Sequence, residues 1–139
     1  MHRSMPDINY FIAIGIGLLV LFGIMFAAQI CLAGDISENF SAREFICKHC
    51  GEGGAHPELI TKLEALRVII GNKPIIVTSG YRCKEHNKNV GGVENSYHTL
   101  GMAADIKVTG IKPSILAQFA KDLGFFVIVY KTWVHVDIR

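Results

Sequence analysis

The sequence is short of charge: Asp, Glu, Lys and Arg make up 19% of it, and the 14 basic side chains exceed the 12 acidic ones by only two. The basic residues are scattered instead of forming a stripe, so the electrostatic footprint of a nucleic-acid-binding protein is missing. Cysteine is scarce as well. Cys31, Cys47, Cys50 and Cys83 are too few to staple a small domain that has no core of its own. There is no internal repeat and no low-complexity tract, which excludes a solenoid array and a disordered chain.

What is plentiful is apolar surface, half of all residues, and much of it lies in one uncharged run at 11–30, FIAIGIGLLVLFGIMFAAQI. About 20 such residues are what a helix needs to cross the ~30 Å hydrocarbon core of a bilayer. Arg3 ahead of the run predicts an N-terminus kept in the cytoplasm and a downstream chain exported. The run exceeds the usual secretory h-region, which favours a signal anchor. The alternative is a cleaved signal peptide, with Cys31-Leu32-Ala33 as a small-residue end before Gly34. Residues 1–33 are thus read as anchor or signal, and residues 34–139 as one exported domain of the cell envelope. That domain is tethered as a single-pass membrane protein, or periplasmic or secreted if the signal is cut. Its roughly 105 residues suffice for one modest core and exclude a multidomain enzyme.

The periodicity of 34–139 predicts an α+β domain. Pro57 followed by Leu59, Ile60, Leu63, Leu66, Ile69 and Ile70, then Gly71 and Pro74, predicts a helix over 57–70. Ile75–Thr78 and Met102–Val108 read as strands, with a polar loop from Gly80 to Gly101 between them. Pro113–Leu123 reads as a second helix, and Phe125–Tyr130 with Trp133–Ile138 as a closing hairpin. The result is a small antiparallel sheet with flanking helices.

Chemistry concentrates late in the chain. In Trp133-Val134-His135-Val136-Asp137-Ile138 strict alternation puts Trp133, His135 and Asp137 on one strand face. His98 ends the long loop, Gly101 permits a tight turn, and Asp105 sits in the next strand, so both side chains can converge on one point. His98, Asp105 and His135 form a nitrogen/oxygen set of three, leaving a fourth tetrahedral position open as in catalytic zinc centres. Cys47-Lys48-His49-Cys50, with His49, His56 and Cys83 within reach, would suit a second, structural zinc. An exported setting favours instead a disulfide among Cys47, Cys50 and Cys83, whose pairing the spacing leaves open.

Taken together, Ser79-Gly80-Tyr81-Arg82-Cys83, His86-Asn87, Gly91-Gly92, Ser96-x-His98-x-x-Gly101-x-Ala103-x-Asp105 and His135-Val136-Asp137 resemble the M15 family of zinc peptidases. The branch is that of small D-alanyl-D-alanine carboxypeptidase and murein endopeptidase-like domains. The resemblance runs over about 36–139, including Ser37-x-Asn39-Phe40-Ser41 and Glu44-Phe45. It implies the fold shared with the Hedgehog signalling domain, Zn2+ on His98, Asp105 and His135, and hydrolysis of an amide in peptidoglycan stem peptides. It also makes Arg82 a clamp for a substrate carboxylate. Beside it, Ser96 is placed to bond substrate or to hold the loop, Tyr81 and Tyr97 to line the cleft, and His86 is read as structural within the loop, since the zinc set is complete without it.

One departure stands out. Several members carry an acidic base three positions before the last zinc histidine, where this chain has Thr132. Asp137, two positions after His135 on the same strand face as in the HxD branch of the family, is then read as the general base. Its alternative is a partner that orients an imidazole, and Glu94 is the next carboxylate to consider. Thr132 also keeps open a non-catalytic alternative, a zinc-stabilised domain of the same fold that binds cell wall or a partner protein.

Overall fold

The computed structural model describes residues 35–139. The apolar run 11–30 and the boundary at residues 33 and 34 lie outside the described residues. Among the described residues no helix is long and apolar enough to cross a membrane.

The domain opens with a short 3-10 turn, Ala42–Glu44, that seats Phe40 and Phe45 edge to face in the core with ring centroids 5.9 Å apart. Helix α1, Pro57–Ile69, starts where Pro57 costs no hydrogen bond, and His56 Nδ1 accepts the Glu58 N–H at 3.3 Å. Its face Leu59, Ile60, Leu63 and Leu66 is buried, and each such side chain contributes about 1.5–3 kcal/mol on leaving water. Then come β1 (Ile75–Ser79), a six-residue helix α2 (Lys84–Asn89), a 3-10 turn (Tyr97–Leu100), β2 (Ala103–Val108), α3 (Pro113–Asp122), β3 (Phe126–Val129) and β4 (Val134–Asp137).

The four strands form one sheet in the order β1-β2-β4-β3, every neighbouring pair antiparallel. Strand alternation divides the sheet into two faces of opposite character. Ala104, Ile106, Val108, Val134 and Val136 join Leu59, Leu63, Leu66, Leu116, Ala117 and Ala120 in the core. The opposite face carries Asp105 paired in register with His135, and small Ala103 paired with Asp137.

The expected α+β architecture and its antiparallel sheet are present. The stretch 80–101, expected as an irregular loop, contains α2 and the 3-10 turn. Helix α2 reads KEHNKN and has no apolar stripe to betray it. It is fixed by its cap, where Cys83 Sγ accepts the His86 N–H at 3.4 Å.

Candidate metal centre

Three elements supply the cluster, each for a local reason. The 3-10 turn carries His98 because Ser96 Oγ caps it, accepting the His98 N–H at 3.4 Å, and Gly101 ends it at φ +69°. A side chain at Gly101 would be strained in that conformation, and its Cβ would meet the Gly54 carbonyl oxygen at 2.6 Å. Strand β2 presents Asp105, and β4 presents His135 directly across from it. A bulge in β1 between Val77 and Ser79 lets Thr78 Oγ1 donate to the Asp105 carbonyl at 3.0 Å.

The three side chains meet. His98 Nε2 lies 3.2 Å from Asp105 Oδ1 and 3.1 Å from His135 Nδ1, which is itself 3.0 Å from Asp105 Oδ1. The outer nitrogens of both rings are occupied. His98 Nδ1 donates to the Gly80 carbonyl at 2.6 Å, and His135 Nε2 donates to Asp137 Oδ2 at 3.1 Å. Each imidazole therefore turns its lone-pair nitrogen toward the carboxylate, and three acceptor atoms converge with no proton assigned between them. Such a set is stable around a cation. Zinc bonds of about 2.0–2.2 Å to nitrogen and oxygen put tetrahedral ligands roughly 3.3 Å apart, close to the separations found.

Electrostatics agree. Burial penalises the charge of Asp105, which is 4% exposed, yet the polar surroundings given by His135, His98 and the Arg82 guanidinium bring its carboxyl down to about 2. Asp137 is fully buried; desolvation raises its carboxyl, but Arg139 and His135 outweigh that and hold it below the ordinary value. Arg139 Nε reaches Oδ1 at 2.9 Å and its second guanidinium nitrogen reaches Oδ2 at 2.7 Å.

The cluster forms the floor of a cleft of about 330 Å³. Arg82, Ser96 and Tyr97 line it. The Arg82 guanidinium bonds Asp105 Oδ2, and its Nε donates to Ser79 Oγ at 2.8 Å. Tyr81 does not line the cleft, because its ring packs where a Gly53 Cβ would be. Thr132 and Glu94 are exposed, Glu94 beside a neighbouring groove with Lys84 and Lys88. Two features were not foreseen from the sequence. Arg139 continues the alternation His135-x-Asp137-x-Arg139, which was the available signal. Tyr130 and Trp133 stack at 3.7 Å on the cleft wall, a contact that depends on the hairpin turn between them.

The remaining cysteines also gather. Cys47, Cys50 and Cys83 carry free thiols whose sulfurs lie within 4.8 Å of one another.

A buried carboxylate and two oppositely tethered imidazoles at the foot of a cleft define a metallohydrolase type of centre, and the sequence matches accordingly. Residues 38–137 match the peptidase M15 family, and the chain belongs to it. Among curated proteins, the zinc D-Ala-D-Ala carboxypeptidase of Streptomyces albus G is 45% identical over 64 residues. That match covers 46% of this chain and 25% of the relative, so the chain spans about a quarter of the protein it resembles.

Proposed function

We propose that residues 34–139 form a zinc peptidase domain that hydrolyses a peptide bond next to D-alanine in peptidoglycan stem peptides. The observation that carries this reading is the convergence of His98 Nε2, Asp105 Oδ1 and His135 Nδ1 at hydrogen-bond distance with their other polar atoms tied off. These three would hold the ion, and zinc when bound supplies a Lewis acid for the scissile carbonyl and lowers the pKa of water. The rest is done by the chain. Gly80 and Asp137 fix the imidazole tautomers, and Arg82 turns Asp105 so that Oδ1 faces inward. Arg82 also lines the cleft, where the guanidinium nitrogen not bonded to Asp105 or Ser79 can meet a substrate carboxylate. The stacked Tyr130 and Trp133 offer an apolar wall to the peptide.

Asp137 is assigned to positioning. Its carboxylate faces the far nitrogen of His135 and is neutralised by Arg139, both of which make it a poor proton acceptor. This leaves a second reading with an observation in its favour. The carboxylates lining the cleft are Asp105 and Asp137, each already committed, as suits a zinc-stabilised domain that binds cell wall without cutting it. Digestion separates the two. Purified full-length chain incubated with muropeptides should release D-alanine or a shortened stem peptide, read by mass spectrometry. Binding to peptidoglycan with no product at any zinc concentration establishes the second reading instead. The segment 11–30 would tether the domain to the cell envelope.

A further inference from the structure

We infer that Cys47, Cys50, Cys83 and His86 form a second, structural zinc site, separate from the His98 cluster and independent of whether the domain is a peptidase. The three sulfurs lie within 4.8 Å of one another, and His86 Nδ1 stands 3.2 Å from Cys47 Sγ. Zinc–sulfur bonds of about 2.3 Å put tetrahedral sulfurs roughly 3.8 Å apart, and a sulfur and a nitrogen roughly 3.5 Å apart.

The backbone is built to bring these groups together. The turn Cys47–Gly51 is closed by the Gly51 N–H on the Cys47 carbonyl and the Cys47 N–H on the Glu52 carbonyl, each at 2.8 Å, with Gly51 at φ +76°. It presents Cys47 and Cys50 on one side. Cys83 caps helix α2, and His86 sits three residues on, so the pair shares one face of the first helical turn. The pattern is Cys-x-x-Cys from a turn and Cys-x-x-His from a helix start, a Cys3His set.

Two of the sulfurs accept backbone N–H groups, as thiolates do. Cys47 Sγ accepts the Cys83 N–H and Cys83 Sγ accepts the His86 N–H, both at 3.4 Å. Soft thiolates select zinc over magnesium or calcium, and each thiol that ligates gives up its proton on binding. A disulfide would use two of the three sulfurs and strand the third beside an imidazole, whereas one ion uses all four groups. His49 Nδ1 is also near, 3.6 Å from Cys83 Sγ. As the chain neighbour of Cys50 it would need adjacent side chains to converge, and its other nitrogen faces Glu85 at 3.9 Å.

Cobalt substitution reads this site alone, because only thiolate ligation gives an intense near-ultraviolet charge-transfer band. Reduced full-length chain, stripped by chelator and refilled with Co2+, should show the band, and so should His135→Ala. Cys50→Ser, at an exposed position, should lose it while circular dichroism stays that of the wild type. His86→Ala should weaken and shift the band, and His49→Ala should leave it unchanged. Absence of the band from refilled wild type overturns the proposal without touching the His98 centre. So does recovery of metal-free chain 2 Da light from a disulfide among these cysteines, and loss of the band in His49→Ala but not in His86→Ala overturns the assignment of His86.

Discussion

Asp137 accepts four hydrogen bonds, three from Arg139 and one from His135, in a place with no solvent exposure. Asp137→Asn keeps the shape but supplies an amide nitrogen where a carboxylate oxygen met two donors. Because the contact is with the outer nitrogen of an imidazole, zinc affinity should weaken by ~10–100-fold and excess zinc should restore most turnover. A zinc-replete Asp137→Asn protein still ~10²–10⁴-fold slow would return Asp137 to the role of base. His98→Ala or His135→Ala should remove the ion from this centre, measured by metal titration of apo protein. Affinity should fall as pH is lowered, since both imidazoles must be unprotonated to ligate, while Asp105, held at about 2, keeps its charge. Gly80 tests the support from another side. A Cβ there would lie 2.5 Å from Phe45 Cα, so Gly80→Ala must move backbone and draw its carbonyl off His98 Nδ1. A loss of ~1–3 kcal/mol in stability together with weakened zinc binding is expected, checked by denaturant titration and calorimetry.

At the scale of elements, helix α1 does more than fill the core. Glu64 on its flank receives the Ser37 hydroxyl at 2.6 Å, the Asn39 N–H at 2.9 Å and the Asn39 amide at 2.7 Å, tying the strand-less opening segment to the helix. Burial opposes its charge, but these donors hold its carboxyl below the ordinary 4.5. The folded value lies below the unfolded one, so the stabilisation is complete above the unfolded value and is lost as pH falls through the folded one. Glu64→Gln should cost about 1 kcal/mol at neutral pH, and the gap from wild type should narrow as pH falls below the ordinary 4.5. Equilibrium unfolding across pH 2–7 measures it. The helices with apolar stripes and the alternating strands were legible in sequence because periodicity reports burial directly. The strict alternation of β4 even named the face on which His135 and Asp137 stand. Helix α2 was not legible, since six polar residues held by a sulfur cap have no period to read. Nor was the fate of Tyr81, whose neighbours in sequence point to the cleft while Gly53, nearly thirty residues earlier, takes its ring.

For the whole molecule the property to measure is where the domain works. A tethered domain should sediment with membranes and keep its initial sequence, as read by N-terminal analysis of the mature protein. A mature chain beginning at Gly34 would instead establish cleavage after Ala33. The convergence of His98, Asp105 and His135 was legible only as a set of types and spacings. Their actual distances depend on the register that pairs Asp105 with His135 and on a carbonyl from residue 80 that no motif announces.

That carbonyl belongs to a ribbon, residues 79–86, that serves two masters. Ser79 steadies Arg82, Gly80 steadies His98 and Arg82 steadies Asp105, while Cys83 and His86 belong to the sulfur cluster a short way along the same chain. The cleft and the cluster therefore share a keel. With the second zinc site as proposed, oxidants or thiol reagents that enter at exposed Cys50 would loosen the ribbon that holds the cleft without ever reaching the cleft itself, and how long the cleft stays intact would follow the redox history of its surroundings.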